Sequence, residues 1–252
     1  KLFYYNFDFS LIELLRDYLT NRFIRVSVNG QLSKKERLNV GVPQGSVLGP
    51  LLFIVYINDL ALLQLKSKLL LFADDTTVYL HGPNLQNILE NLSVDLSLLK
   101  NWLINNRPVL NLSKTYAIHF NKNNRLSNLY KNLSLKCGDD NITFVTETKL
   151  LGVLIDNKLS FSSHINYLCK KVNAKAYLIS KSLHLFSFRF RTLLFKLFIV
   201  PHFDYCSTLF IYLKKNCDKD RLSRCFNKCI YRLLNKNIFS LEFEQLKIII
   251  IL

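Results

Sequence analysis

The sequence predicts an α+β fold, with strands and helices mixed in its first part and helices alone in its last. Two observations carry this. Up to residue 160, period-two apolar runs closed by turn residues alternate with stretches of helical periodicity. Beyond Phe161 every apolar pattern is helical, basic and studded with aromatics. With 252 residues and 50% apolar content, the chain can build a sizeable core. The expected division is therefore residues 1–160, α+β, and residues 161–252, helical and basic. No internal repeat or low-complexity tract interrupts either part.

Taken in order, "FSLIELLRDYLTNR" carries apolar residues at Leu11, Ile12, Leu14, Leu15, Tyr18 and Leu19, a helical stripe. "FIRVSVNGQ" then alternates with period two and turns at Asn29-Gly30, so it reads as a hairpin returning towards "RLNVGVPQG". Ser46 is placed to cap a helix with Pro50 in its first turn and "LLFIVYINDLALL" as its body. "LLLFA" and "TTVYL" flank Asp74-Asp75, two strands with a two-residue tip. Leu85, Ile88, Leu89, Leu92, Leu96, Leu99 and Leu103 form a long amphipathic helix that stops at Arg107-Pro108. "KTYAIHF" and "KLLGVLI" read as strands. "HINYLCKKVNAKAYLISKSLHLF", "FRTLLFKLFIV" and "RLSRCFNKCIYRLL" read as helices.

Charge narrows the function. Lys and Arg number 34 against 18 acids, giving +16 and a pI near 9.6. That balance fits a polyanionic partner, nucleic acid ahead of an anionic membrane surface. From Asn166 to Leu252 there are 16 basic and 5 acidic residues, a surplus of 11 out of 16. The gradient suggests that the last third follows a phosphate backbone, or that it is a solubilising face. Cys137, Cys169, Cys206, Cys217, Cys225 and Cys229 are scattered without a CxxC pair, so neither a zinc site nor a disulfide framework is indicated. They read as reduced core thiols of an intracellular protein. The longest apolar stretch is broken by Asn58 and Asp59, which argues against a membrane span. The chain starts at Lys1 and contains no Met, so a fragment of a longer reading frame is expected.

Two stretches carry chemistry. The first is "KLLLFADDTTVYL". An Asp-Asp turn is common, because Asp tolerates left-handed backbone and bonds its own turn amides. Against a plain turn stands "LLLFA", which has no polar residue and so reads as a core strand. Adjacent carboxylates at the end of a core strand repel one another, and a divalent cation removes that penalty. Mg²⁺ prefers hard carboxylate oxygens together with substrate phosphates, which points to phosphoryl transfer on nucleic acid by the two-metal route. The second stretch is "GVPQGSVLGP", Gly41 to Pro50, with three glycines and two prolines ahead of an apolar helix. Such a loop lets backbone approach a ligand closely, and the helix start favours phosphate. Gln44 between Pro43 and Gly45 offers a bidentate amide to a nucleotide; the alternative is a plain strand-to-helix loop.

Together these stretches resemble a known family. "GVPQGSVLGPLLFIVYINDL", "LFADDTTVY", "NWLINNRPVLNLSKTYAIHF" and "KLLGVLIDNKLSFSSHI", in this order, are similar to the reverse transcriptases of non-LTR (LINE-type, jockey-like) retrotransposons. "VPHFDYCS" and "RLSRCFNKCIYRLL" resemble the helical region that follows in the same elements. The resemblance implies a polymerase palm (an antiparallel sheet with packed helices), with fingers upstream and a helical thumb over 161–252. It implies that Asp74 and Asp75 hold metal and catalyse, that Pro43, Gln44 and Gly45 position nucleotide and template, and that Lys114 neutralises or protonates leaving pyrophosphate. Lys149, Leu150, Leu151 and Gly152 match the turn that grips the primer. Two Mg²⁺ ions, with Mn²⁺ as the alternative, are the implied cofactors. The implied partners are an RNA template, a DNA primer and deoxynucleoside triphosphates, with no membrane and no oligomeric state specified. A nuclear or cytoplasmic ribonucleoprotein is the implied location.

The chain departs from the family in one respect. The family's other metal-binding carboxylate sits in a strand ending "FD", and Lys1-Leu2 match the segment after that strand. Asp8 lies in an "FD", but where the family leads into the following helix, so the catalytic role is not carried to it. The third carboxylate is expected upstream. Asp59 reads as a helix cap, Asp204 as structural, His164 and His202 as packing or capping residues, and Trp102 as core. The Lys170-Lys171 and Arg189-Arg191 clusters suit a thumb on duplex backbone, or a solvated helix face. Two further readings stand beside the polymerase. One is a truncated or decayed copy that at most binds nucleic acid; the other is a related polymerase-fold protein of intron splicing.

Overall fold

A computed structural model describes residues 1–38, 41–43, 45–120 and 134–234 of the chain. Helices and small sheets share it, so the chain is α+β, as its patterning predicts. It divides into two compact units, Lys1–Asn111 with Leu135–Asn141, and Leu112–Ser134 with Ile142–Leu252.

In the first unit, α1 (Phe9–Leu19) starts where the Asp8 carboxylate accepts the backbone N–H of Ser10 at 3.0 Å, a side-chain N-cap. A long hairpin follows. Its outer strands β1 (Arg22–Ile24) and β4 (Glu36–Leu38) pair antiparallel, and so do its inner strands β2 (Ser27–Val28) and β3 (Gln31–Leu32). Asn29 and Gly30 close it with φ of 50° and 81°, the left-handed pair of a tight hairpin turn. The next helix, α2 (Leu48–Ile57), is shorter than the apolar run suggests and continues as a 3-10 turn, Asn58–Leu62. The α-helix gives way to the 3-10 turn at Asn58, and the tighter turn buries Leu60.

Strands β5 (Lys68–Phe72) and β6 (Asp75–Tyr79) pair antiparallel from Lys68↔Tyr79 to Phe72↔Asp75. Behind them runs α3 (Leu85–Asn106). It is capped by Asn84, whose side chain accepts from Gln86 N–H at 2.9 Å, and it is ended by Arg107 in the left-handed region before Pro108. Leu60, Leu99 and Trp102 make the core here, with Leu69 and Val78 of the hairpin packed on them. Strand β7 (Tyr116–Ala117) is a short remnant of the strand predicted in "KTYAIHF". On α3, Lys100 holds the turn after β8 (Leu135–Cys137) through an ion pair to Asp140 at 2.8 Å.

In the second unit, β7 runs parallel to the far end of β9 (Asp140–Phe144), Tyr116 opposite Thr143. "KLLGVLI" is not one strand: it runs from the end of β10 (Glu147–Leu150) through the Leu151-Gly152 turn into β11 (Val153–Asp156), and the two strands pair antiparallel. The Asp156 carboxylate then accepts the N–H groups of Ser160 and Phe161, at 3.0 and 2.8 Å, and delivers the chain into α4 (Ser162–Ser180). Helices α5 (Phe188–Phe198), α6 (Val200–Asp204), α7 (Thr208–Ile211) and α8 (Asn216–Leu234) complete the unit. Ile165, Val172, Ile199, Phe203, Phe226 and Leu233 are central to its core, where Phe203 and Phe226 meet edge to face at 4.9 Å.

The thiols divide. Cys137, Cys169, Cys225 and Cys229 are buried, but Cys206 and Cys217 are exposed, so the reading of all six as core thiols fails for these two. Among the described residues no helix is long and apolar enough to cross a membrane.

Candidate active site

The Asp74-Asp75 pair is built by the β5–β6 hairpin. Phe72 pairs with Asp75, so the turn is Ala73-Asp74, with Ala73 at φ 51°. The tip thus lies one residue earlier than the sequence suggests, and Asp75 is the first residue of β6. Strand alternation places Asp75 on the same face as Leu70, Phe72, Thr77 and Tyr79, opposite the face that packs on Leu60 and Trp102. Both carboxylates are exposed.

That face corrects the expectation of a core strand. Leu70 is 56% and Phe72 65% exposed, and only alternate residues such as Leu69 reach the core. An uninterrupted apolar run predicts burial on both faces, yet among the described residues the second face is uncovered. The acidic tip therefore rises from a sheet whose outer side carries the exposed apolar residues Leu70, Phe72 and Tyr79 beside Lys68 and Thr77.

What aims the hairpin was not legible from the motif. Asp95 of α3 is 1% exposed, and its two carboxylate oxygens accept the N–H groups of Lys66 and Ser67 at 3.2 and 2.7 Å. It fixes the backbone at the root of β5. The only hint in the sequence is an acid inside an otherwise apolar helical stripe. Asp59 does not cap a helix: it accepts from Lys1 Nζ at 2.7 Å, and the same ammonium lies 4.5 Å from the Tyr56 ring centre and 4.6 Å from that of Trp102. Trp102 is core, as expected. Asp8 is accounted for by its cap of α1. The Ser10 hydroxyl and N–H hold its carboxyl below the ordinary range.

The loop before α2 belongs to the same unit. Gly41 and Gly45 take φ of 89° and 78°, backbone that side chains resist. Ser46 lies one residue before the N-cap, Val47, yet its Oγ accepts Gly49 N–H at 3.1 Å in the first turn and donates to Pro43 O at 2.8 Å. Gly49 is tightly packed: a Cβ there would meet Ser46 Oγ at 3.0 Å and Val42 Cγ2 at 3.3 Å. Pro43 and Gly45 therefore sit in a loop tied to the first turn of α2, while Gln44 lies outside the described residues.

The other predicted residues are in the second unit. Lys114 ends a 3-10 turn, Leu112–Lys114, and is exposed. Lys149 and Leu150 close β10, and Leu151 and Gly152 form its turn with φ of 45° and 88°. Tyr205, which the sequence did not single out, holds this turn: its hydroxyl donates to Leu151 O and its ring lies 3.5 Å from where a Gly152 Cβ would be. Lys149 Nζ stands 5.5 Å from the Tyr167 ring centre, with Lys171 at 5.9 Å from the same ring. His164 is buried and accepts Leu154 N–H at 3.4 Å through Nδ1, and burial pushes its pKa down.

No group of three or more His, Cys, Asp or Glu residues able to hold a metal gathers among the described residues. Asp74 and Asp75 still suit Mg²⁺, which takes one or two carboxylates and completes its shell with water and phosphate oxygens.

The family described as reverse transcriptase (RNA-dependent DNA polymerase) matches residues 2–155. Over 199 residues the chain is 28% identical to the probable RNA-directed DNA polymerase from transposon X-element of Drosophila melanogaster, covering 76% of this chain and 21% of that protein. It is 29% identical over 160 residues to the RNA-directed DNA polymerase from mobile element jockey of the same organism, covering 60% and 17%. A further relative, the probable RNA-directed DNA polymerase from its transposon BS, is 27% identical over 169 residues, covering 60% and 17%. The chain spans only 17–21% of the length of these relatives. No solved structure matches it.

Proposed function

The chain belongs to the reverse transcriptase (RNA-dependent DNA polymerase) family, and on that footing we propose that it forms the palm, residues 1–160, and thumb, residues 161–252, of a retrotransposon's RNA-directed DNA polymerase. The observation that carries this is the β5–β6 hairpin, which presents two adjacent exposed carboxylates within the family match.

In this reading Asp74 and Asp75 hold the divalent cations, Mg²⁺ or Mn²⁺. When bound, two such ions would neutralise charge building on the attacking and leaving oxygens. The protein's own part is placement. Gly45 and Pro43, with Gln44 between them, line the nucleotide and template site, where glycine backbone admits close approach. The turn Lys149–Gly152 grips the primer end, braced by Tyr205. The primer 3′-oxygen bonds to the α-phosphorus of a deoxynucleoside triphosphate, the bond to pyrophosphate breaks, and the hydroxyl proton passes to solvent. Lys114 supplies positive charge or a proton to the departing pyrophosphate. RNA template and DNA primer are the polyanions that the +16 chain attracts.

The second reading is a copy that binds nucleic acid without catalysis. It rests on the +16 charge, which attracts nucleic acid whether or not catalysis follows. Primer extension on an RNA template separates the two. The assay uses the reading frame extended upstream, since the relatives are several times longer. Extension that depends on Mg²⁺ and falls about a thousandfold in Asp74→Ala, the scale of losing a main electrostatic group at a reacting centre, supports the polymerase. Equal extension before and after Asp74→Ala sinks the assignment, and none in either leaves the binding-only reading.

A further inference from the structure

His164, in the first turn of α4, is 4% exposed. Its Nδ1 accepts the N–H of Leu154 in β11 at 3.4 Å, which puts the proton of the neutral ring on Nε2. That Nε2 is buried and has no partner among the described residues. A buried donor without a partner is destabilising, and an apolar side chain would fill the space without one. Packing alone therefore does not account for an imidazole here, but its bond to Leu154 does.

Leu154 lies two residues beyond Gly152. Because the turn Leu151-Gly152 has two residues, Leu150 and Val153 are the hydrogen-bonded pair that closes it. The next pair, Lys149 and Leu154, then points its N–H groups away from the hairpin. His164 takes the outward N–H of Leu154. Opposite it, Lys149 Nζ lies 5.5 Å from the ring centre of Tyr167, one helical turn along α4 from His164. Two side chains of one helix thus engage both members of the strand pair beside the turn. Tyr205, just after α6, donates to Leu151 O in the turn itself.

We propose that His164 is a positioning residue for the primer end: by holding Leu154 it fixes where the Leu151-Gly152 turn stands. Tyr167 meets only the side chain of Lys149, and Tyr205 bonds one carbonyl of the turn. His164 holds the backbone of the strand that leaves the turn, so without it this end of the hairpin shifts. A shift of about 1 Å in a group that places a reacting end can cost on the order of a hundredfold. The role rests on the polymerase reading above, whereas the placement rests on contacts within one compact unit.

The test uses the reading frame extended upstream, with two measurements on each variant: amide exchange over residues 147–156, and the KM for primer–template in Mg²⁺-dependent extension on RNA, per folded enzyme. His164→Phe keeps a ring but has no acceptor. It is expected to speed exchange at Leu154 and the turn, and to raise the KM for primer–template more than about tenfold. His164→Asn, whose Oδ1 can stand where Nδ1 stood, is expected to restore both towards the original values. Val172→Ala, which only thins the core of the same helix, is expected to lower stability and leave the KM in place. If His164→Phe fails to fold, His164→Leu takes its place with the same expectation. The proposal is overturned if the variant without an acceptor leaves exchange or KM unmoved, if His164→Asn is no better than it, or if Val172→Ala raises the KM as much. Extension that is normal in His164→Phe defeats this proposal alone. No Asp74-dependent extension in the unsubstituted chain defeats the polymerase reading, and this proposal with it.

Discussion

Asp95 accepts the backbone N–H of Ser67 at 2.7 Å from a carboxylate that is 1% exposed, so a charged helix residue holds the root of the strand that leads to Asp74. Removing it strands the buried Ser67 N–H and the part-buried Lys66 N–H. Asp95→Ala is therefore expected to lower unfolding stability by about 3 kcal/mol, by chemical denaturation, and Asp95→Asn by less because one acceptor oxygen remains. An Asp95→Ala chain as stable as the original would show that the carboxylate is not what fixes β5.

The turn at Leu151-Gly152 offers a finer test. Tyr205→Phe deletes only the hydroxyl that donates to Leu151 O and is expected to cost about 1 kcal/mol. Gly152→Ala puts a side chain at φ 88° while its Cβ meets the Tyr205 ring only at ordinary contact, 3.5 Å. Its cost is then backbone strain, about 1–2 kcal/mol, and pairing it with Tyr205→Phe should not make it additive, because both loosen one turn.

Acid acts through His164 and Asp156 in different windows. Burial holds the His164 imidazole below its ordinary value. The unfolded chain therefore takes up the proton first, and stability is whole above about pH 6.5 and falls as the pH drops through that value. Protonation would also turn Nδ1 from acceptor to donor against Leu154 N–H. His202 is depressed too, by burial first and then by Lys175 and Lys171. Denaturation midpoints are expected to fall between pH 7.5 and 5.5, and to fall less in His164→Phe. For Asp156, burial raises the carboxyl, but bonds from Ser160, Phe161 and Lys158 outweigh it and the net direction is down. Its contribution is complete above the ordinary carboxylate range and is lost only as the pH falls below it, so Asp156→Asn flattens the curve there and not near neutrality.

Gly49→Ala places a methyl 3.0 Å from Ser46 Oγ, which must move and give up the Gly49 N–H cap. A loss of about 1 kcal/mol is expected from the cap. In the extended enzyme the proposed nucleotide loop shifts with it, so KM for deoxynucleotides should rise more than kcat falls.

Thiol labelling separates the cysteines. Cys206 and Cys217 are exposed, while the Cys225 thiol and then burial raise the Cys169 pKa, and at Cys225 the lowering contact with Cys169 is outweighed by Cys229 and burial, which push it up to about 12. A maleimide is expected to modify two thiols in the folded chain and none in Cys206→Ser with Cys217→Ser. Labelling at Cys225 in that variant would contradict the packing of α4 on α8.

Much of this was legible in the sequence, because it depends on neighbours along the chain. The 3.6-residue stripe of Leu85–Leu103, the Asn29-Gly30 turn and the Ser46 bond into the first turn of α2 each need only a few adjacent residues, and the structure repeats them. Local rules were insufficient where a partner was remote. "LLLFA" reads as a buried strand because its residues are all apolar, yet what covers a strand lies elsewhere in the chain or outside it. The tip moved to Ala73-Asp74 because pairing of Phe72 with Asp75 sets the register, and register is a cross-strand property.

By itself the sequence determined the α+β class, the basic final third, and the ordered stretches by which the chain belongs with reverse transcriptases. Tertiary structure alone decided that Asp95 roots β5, that Lys1 rather than a helix end engages Asp59, and that Tyr205 holds the Leu151-Gly152 turn. Those contacts join residues 28 to 58 positions apart. No local periodicity encodes them, because each ties a side chain to a group on another element that only the folded chain brings within reach.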